Sequence, residues 1–493
     1  MLIWGTQRIY MRRFRNLGMQ RICMRMLWNE EAETMAETGK QAENGAKNTV
    51  LMTEGNIFRC IVLFAIPLIL GNILQQTYNA VDSIIVGNFV GSSALAAVGS
   101  STSLINLLIS FSQGAAVGAG VVVSQSLGAN DWEGLSKAVH TALVIAAVLG
   151  CILSLGGVLF SRRILVLMNT PEEVLANSTI YLGIYSAGLI FNVLYNMCAG
   201  ILNAAGNSKR SLMYLGAASV TNIVLDLILI VGFRIGVAGA AIATTASQAV
   251  SFLLAFHFLL HVPSDYRVSV KQLRLHSRTA RRILALGLPA GIQSMLISFS
   301  NMLVQASVNR FGATAMAGFG AYLKIDGFGI LPILSIGMAM TTYTGQNFGA
   351  GKIDRIKKGI GASLVLVVAY TGMISVLLLH FADPVMRLFT QDPAVIAYGE
   401  TAMRYFCPFY WVTGILQALA GTVRGTGKTV PPMIVLILSF VVFRIMWIYF
   451  VLPRFHTIEA LFMQYPICWA LGVLLMLLYM SRGTWLLAGE RRA

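Results

Sequence analysis

The sequence predicts an all-α integral membrane protein: twelve transmembrane helices in two pseudo-symmetric six-helix bundles, related by an axis along the membrane normal. Three observations predict it. The composition is too apolar for a soluble surface, a dozen apolar runs have spanning length, and the two halves of the chain repeat one another. Hydrophobic residues make up 56% of the 493 residues and charged residues 11%, against roughly 25% charged in a soluble domain. A soluble chain of this length could bury a large core, but it could not hydrate a surface so poor in charge. A hydrocarbon solvent removes that conflict.

A spanning helix needs about 20 mostly apolar residues. In order, such runs fall at 58–87, 94–127, 138–160, 177–203, 211–233 and 237–260 in the first half, and at 283–308, 315–345, 360–381, 399–423, 431–452 and 460–481 in the second. The intervening residues are those that end helices. The second run closes on GAND at 128–131, the fourth follows NTPEE at 169–173, the fifth follows AGNSKR at 205–210, and the sixth stops before PSD at 263–265. GAGK at 349–352 and GTGK at 425–428 close the eighth and tenth. Gly and Asn at such points admit the left-handed conformation that terminates a helix. Pro67, Pro289, Pro332, Pro408 and Pro466 lie within runs, where proline is tolerated if neighbouring helices satisfy the freed backbone. The six cysteines are scattered with no CxxC or Cys/His spacing, so neither a zinc site nor a disulfide framework is indicated.

An even number of spans places both termini on one side, and charge selects the side. With cytoplasmic termini, the inner segments hold 27 of the 36 Lys and Arg residues. Counting Arg59, at the inner end of the first run, with the inner segments, six remain outside (Arg162, Arg163, Arg234, Arg310, Arg387 and Arg454) and three fall deeper within spans (Lys324, Arg404 and Arg444). This is the positive-inside pattern of a multi-pass plasma-membrane protein. It assigns the net charge of +16 to anionic lipid headgroups and not to nucleic acid. The expected division is a disordered cytoplasmic tail at 1–55, a first bundle at 56–261, a basic cytoplasmic connector at 262–282, a second bundle at 283–482 and a short cytoplasmic tail at 483–493. The first segment also reads as an over-extended start, with translation beginning at Met35 or Met52. It has no apolar run followed by a small-residue cleavage site, so it is not a secretory signal.

The repeat is close to gapless. NFVGSSALAAVG at 88–99 aligns with NRFGATAMAGFG at 309–320, an offset of 221. The same offset pairs Gln125 with Gln346, Gly128 with Gly349, Gly200 with Gly421 and Gly206 with Gly427. Each half carries an even number of spans, so the halves share one topology, as in parallel-repeat transporters, and a cleft between them can open to either side by rocking.

Charges inside the spans are the informative residues, since an Asp at a helix centre costs about 2.5–3.5 kcal/mol on insertion scales. Asp82 lies about six residues from the outer end of the first span and Asp226 about seven from that of the fifth, at similar depth. Thr244 lies at the same depth in the sixth span, which runs inward. Asn222 precedes Asp226 by one turn and Tyr78 precedes Asp82 by one turn, so each shares its partner's face. Two carboxylates with Asn and Thr oxygens make an all-oxygen cage. That set suits a hard cation such as Na⁺ by the logic of oxygen ligation, and it equally suits uptake of a proton. Each Asp could instead be a satisfied structural group. Lys324 and Asp326 lie near the start of the eighth span and are expected to form a local ion pair, with a place in a second-half cavity as the alternative. Span seven carries no acidic residue. At the repeat offset, Asp226 corresponds to Trp447 and Asp82 to Leu303 or Val304, so the scaffold is duplicated and the acids are not.

Several stretches together resemble the multidrug and toxic compound extrusion (MATE) family. They are FAIPLILGNILQQTYNAVDSIIVGNFVG, VSQSLGAND, GILNAAGNSKR and NIVLDLILIVGFRIGVAGAAIATTASQ in the first half, and GQNFGAGK and RGTGKT in the second. The resemblance implies a two-lobe exporter that expels organic, often cationic, compounds in exchange for inward Na⁺ or H⁺. It implies a first-lobe cation site at Asp82, Asn222, Asp226 and Thr244, with Tyr78 in the surrounding network and Asn196 at a further polar family position. It implies no resident cofactor, small organic substrates and membrane lipids as partners, a monomer, and no enzymatic activity. Two rival readings are a flippase for lipid-linked precursors and a non-transporting receptor or scaffold.

Overall fold

The computed structural model describes residues 51–168 and 170–486. The described residues outside 262–264 form one compact unit. It is built from helices α1 (Ile57–Phe89), α2 (Ser92–Gly128), α3 (Trp132–Leu167), α4 (Glu172–Ala187), α5 (Leu189–Ala204), α6 (Ser208–Gly232), α7 (Val237–His261), α8 (Ser277–Asn309), α9 (Ala313–Gly349), α10 (Ile353–His380), α11 (Pro393–Gly425), α12 (Val430–Phe455) and α13 (Ile458–Ser481). Eleven of these are individually long and apolar enough to cross a membrane, and the pair α4 and α5, bent by 45°, supplies a twelfth span. The chain is therefore a multi-pass membrane protein. No strand occurs among the described residues.

The helices outrun the apolar stretches that predict them, because polar ends and caps add turns. Asn56 caps α1 by accepting from Arg59 N at 3.1 Å, and Asp131 caps α3 by accepting from Gly134 N at 2.9 Å. Turn geometry repeats with the sequence. Gly91 and Gly312 have φ of 110° and 96°, a region closed to residues with a Cβ. Gly206 and Gly427 share φ of 84° and 86°. Outward-facing positions stay apolar: Leu155, Leu159, Val376 and Phe450 are 64–71% exposed. An apolar outer surface is what a bilayer-spanning bundle requires.

The first helix of each half leans onto the other half. α8 packs along α2, and α1 packs along α9 and α10. The α2–α8 seam is made of backbone. A Cβ on Gly114 would sit 2.5 Å from Gly291 N, and one on Gly118 would sit 2.3 Å from Ile283 O. α2 and α9 also pack on one another across the halves, while within each half α1 packs with α6, α2 with α5, and α6 with α7 in the first, and α9 with α11 and α11 with α13 in the second.

The connector between the halves defines one face of the bundle, here termed the connector face. Three segments of the expected division meet the helix ends there. The connector was expected to reach residue 282, but α8 begins at Ser277, so Arg278, Arg281 and Arg282 are helical. The stretch before it is anchored: Ser269 N donates to His140 Nε2 at 2.9 Å. The first tail, expected to extend to residue 55, gives way to anchored chain by Met52. Met52 is fully buried, its N–H donates to Gln346 Oε1, and the carbonyls of Met52, Glu54 and Gly55 accept from Arg355. The final tail, expected from 483, is still docked at Trp485, which is buried and donates to Met480 O at 3.0 Å. In each case the segment finds hydrogen-bond partners on the neighbouring helices. The expected over-extension of the start concerns residues outside those described.

Candidate cation site and central cavity

Helices α1, α6 and α7 pack on one another and carry the residues of the expected cation site. Asp226 is fully buried, Asn222 and Tyr78 are buried, and Asp82 and Thr244 are nearly so. The two carboxyl groups lie within hydrogen-bonding reach of each other. Both Asp226 oxygens, both Asn222 amide atoms and Asp82 Oδ1 are shielded from solvent with no hydrogen-bond partner among the described residues. A buried polar atom without a partner costs about 1–3 kcal/mol, more for a charged group. Two facing carboxyl groups therefore need a proton or a cation between them. Thr244 spends its hydroxyl hydrogen on Ala240 O at 3.0 Å, which leaves oxygen lone pairs as its remaining function.

The local backbone is unusual at this point. Immediately after Asp226, α6 changes from α to π geometry over Leu227–Gly232. The repeat-related stretch Trp447–Val451 is also π. Single π turns widen a helix and concentrate at functional sites.

Sequence reasoning missed two tyrosines. Tyr181 and Tyr185 on α4 stack with ring centroids 6.2 Å apart and lie within electrostatic reach of Asp82. Their i, i+4 spacing in YLGIY was the available signal. Asn196 is placed elsewhere. It donates to Asn192 Oδ1 at 2.8 Å and Ser112 Oγ at 3.3 Å, and it lines a central cavity and not the carboxyl pair.

That cavity, of about 480 Å³, lies between the halves. α1, α2, α5, α6 and α7 line it from one side and α8, α9 and α11 from the other. Its wall is rich in amides, among them Asn72, Gln75, Asn192, Asn196, Asn203 and Gln248, and Pro67 reaches it from α1. Tyr78 lies beside Gln75 and Gln248, so the network around Asp82 adjoins the cavity wall. Arg424 is the one charged residue among the described lining residues.

Toward the connector face the cavity ends at a two-fold clasp. Gln125 Nε2 donates to Gly425 O at 2.8 Å, and Gln346 Nε2 donates to Ala204 O at 2.9 Å. Donors and acceptors both obey the 221-residue offset. Gln125 also accepts from Arg282 Nη2 at 2.5 Å. Beside it, a Cβ on Gly128 would meet Gln346 O at 1.9 Å, and one on Gly349 would meet Gln125 O at 2.0 Å.

The second half holds a different polar cluster. Asp326 Oδ1 accepts from Tyr322 at 2.9 Å and from Tyr410 at 2.5 Å, and the two phenols are 3.0 Å apart. Phe319, Phe406, Phe462 and Trp469 pack around them. The expected Lys324–Asp326 ion pair does not form among the described residues. Two residues apart on a helix, the side chains diverge, and Lys324 is exposed, with its Nζ 6.0 Å from the centre of the Phe389 ring. Asp326 points into the second half's core. Arg444 is buried in the same half. It donates to Asn301 Oδ1 at 2.8 Å and lies over Tyr465 at 4.3 Å. Arg404 is an exposed partner of Glu400 at 3.4 Å.

Comparison with known proteins agrees with this architecture. The MatE family model matches residues 67–228 and 289–450, once in each half. The chain is 32% identical over 393 residues to "Probable multidrug resistance protein YpnP" of Bacillus subtilis, covering 80% of this chain and 88% of that protein. It is 30% identical over 434 residues to "Probable multidrug resistance protein YoeA" of the same organism, covering 85% of this chain and 92% of that one. Among solved structures, an outward-facing MATE family transporter of the MOP superfamily superposes with a TM-score of 0.83 at 24% identity, over 90% of this chain and 98% of that one.

Proposed function

Because the chain belongs to the MatE family, we propose that it is a multidrug exporter that moves small organic compounds out of the cell in exchange for inward Na⁺ or H⁺. The observation that carries this reading is the buried Asp82–Asp226 pair with its unpartnered oxygens. It is a site that must be filled, set in one half only, and adjoining the cavity through Tyr78. The cavity's volume of about 480 Å³ falls in the range that encloses a drug-sized molecule, and it is small for a lipid-linked precursor.

On this reading the connector face is cytoplasmic and the chain works as a monomer in the plasma membrane. Alternating access follows from the repeat. The clasp and the α2–α8 seam hold the connector face shut in one state, and rocking of the halves opens it in the other. Filling the carboxyl pair removes its charge and changes which packing of α1, α6 and α7 is favoured. Coupling then needs the cation to bind the two states with different affinity, since a ligand shifts an equilibrium only by that difference.

The test is efflux from proteoliposomes under separately imposed Na⁺ and H⁺ gradients, with Asp82→Asn and Asp226→Asn beside the unaltered chain. One gradient should drive substrate export, and both variants should insert normally and lose it. Gradient-driven export that survives in both variants overturns the assignment.

A further inference from the structure

The two halves present different residues to the floor of the cavity. Asn203 and Arg424 are related by the 221-residue offset. Each immediately precedes a carbonyl held by the clasp, Ala204 and Gly425 respectively. Both line the same cavity, so they stand at equal height on opposite sides of the pseudo-two-fold axis. The repeat supplies a neutral amide on one side and a guanidinium on the other.

Each side chain leaves one shielded atom unsatisfied by the protein. Arg424 Nε and Asn203 Oδ1 are shielded from solvent and have no hydrogen-bond partner among the described residues. No acidic residue is among the described residues that line the cavity. A guanidinium in a water-poor site without a counter-ion is costly, and a planar fork of donors matches a carboxylate or phosphate. The last turn of α11 offsets part of that cost, because a helix C-terminus favours positive charge. It supplies no acceptor for Nε. Thr341 and Thr342 stand on the same wall. Thr341 donates its hydroxyl to Gly337 O at 3.0 Å.

We propose that Arg424 binds a single anionic group, carboxylate or phosphate, at the floor of the cavity, with Asn203 facing it as a hydrogen-bond acceptor for the rest of the ligand. The guanidinium binds the charge, and Asn203 Oδ1, an acceptor without a partner, takes an N–H or O–H of the ligand's body from the opposite half, so the ligand bridges the two bundles next to the clasp. Substrates that fit are amphiphiles with one anionic head and an apolar or amide-binding body, and purely cationic compounds are disfavoured at this position. The same chemistry is offered by an anionic lipid headgroup or by a soluble organic anion. This inference deepens the transport reading and rests on it for the meaning of the cavity, while the binding it predicts is measurable without transport.

The experiment uses the full chain in nanodiscs of zwitterionic lipid and two dansyl probes with the same eleven-carbon body, one ending in a carboxylate and one in a primary amine. The unaltered protein should bind the carboxylate about tenfold more tightly than the amine, the scale of one charge-assisted hydrogen-bonded contact. Arg424→Gln should abolish the preference, Arg424→Lys should retain most of it, and Asn203→Asp should reverse it. Competition by added phosphatidic acid identifies the lipid as the source of the anion, and competition by inorganic phosphate identifies a soluble one. If Arg424 serves only the helix end, Arg424→Gln lowers the thermal midpoint but leaves the carboxylate-to-amine ratio unchanged, and the proposal falls. Absence of gradient-driven export by the unaltered chain, with an intact carboxylate preference, would overturn the antiport reading and leave this site standing.

Discussion

Gln125 and Gln346 hold the two halves together by exchanging identical hydrogen bonds. Each donates its amide to the carbonyl that ends a helix of the opposite half, Gly425 and Ala204, across 300 and 142 residues of sequence. Replacing one with Ala strands a buried carbonyl and removes a buried donor, at about 1–3 kcal/mol. Gln125→Ala and Gln346→Ala should each raise amide hydrogen exchange at the C-terminal turns of α2 and α9 by roughly tenfold or more. The double variant should approach the sum, because the two bonds share no partner. Unchanged exchange in both single variants would show that the clasp contributes nothing to closure.

The glycines of the clasp and of the α2–α8 seam admit no side chain. A Cβ on Gly128 would overlap Gln346 O, and one on Gly118 would overlap Ile283 O. Overpacking of this kind costs about 1–3 kcal/mol or more, and here it acts between the halves. Gly128→Ala and Gly118→Ala should lower the thermal midpoint and suppress transport in vesicles. Gly156→Ala and Gly361→Ala, where nothing lies within 4 Å of the added atom, are the matched controls and should match the unaltered chain in both measurements.

The carboxyl pair should register its cation as stability. A ligand that binds only the folded state stabilises it by about 2.7 kcal/mol at a hundred times its dissociation constant. If Na⁺ is the coupling ion, raising NaCl against a choline chloride control should raise the thermal midpoint of the unaltered chain, and Asp82→Asn should remove that rise. Asp82→Asn should also be the more stable protein in Na⁺-free medium, since an amide facing Asp226 can donate where a carboxylate cannot. A variant that still gains stability from Na⁺ would place the ion elsewhere.

Asp326 depends on two phenols. Tyr410→Phe removes the 2.5 Å donor and Tyr322→Phe the 2.9 Å one. Either change should cost about 1–3 kcal/mol. The double variant should cost more than the sum, because the last donor to Asp326 is then lost and the network is coupled. Thermal unfolding of the four proteins provides the cycle.

The site at Asp82 and Asp226 was legible because a charge in an apolar run stands out, and run ends gave both the same depth. What surrounds it was less so. Tyr181 and Tyr185 look like ordinary span residues until α4 is seen against the pair. The break between α4 and α5 rests on Gly188, where a Cβ would meet Thr245 Cγ2 at 2.0 Å, and nothing in an apolar stretch announces such an approach. Its counterpart at Cys407–Phe409 carried a visible signal in Pro408. Arg424 carried no signal of its own, because the tenth apolar run stops one residue before it. Gln125 and Gln346 were visible as a repeat, but their partners are carbonyls, which every residue possesses.

The crossed packing of the halves bears on how the protein is made. The glycine face of α2 is covered by α8 and not by its own bundle, and 169 residues separate Gly118 from Gly287. At about 5–20 residues per second of synthesis, the nascent first half waits on the order of 10–30 s in the bilayer with that backbone groove open to lipid. The groove is then closed by the first span to emerge after the connector. The cover of the α2 glycine face is completed by the arrival of α8, so the second half acts on the first as soon as it begins to appear.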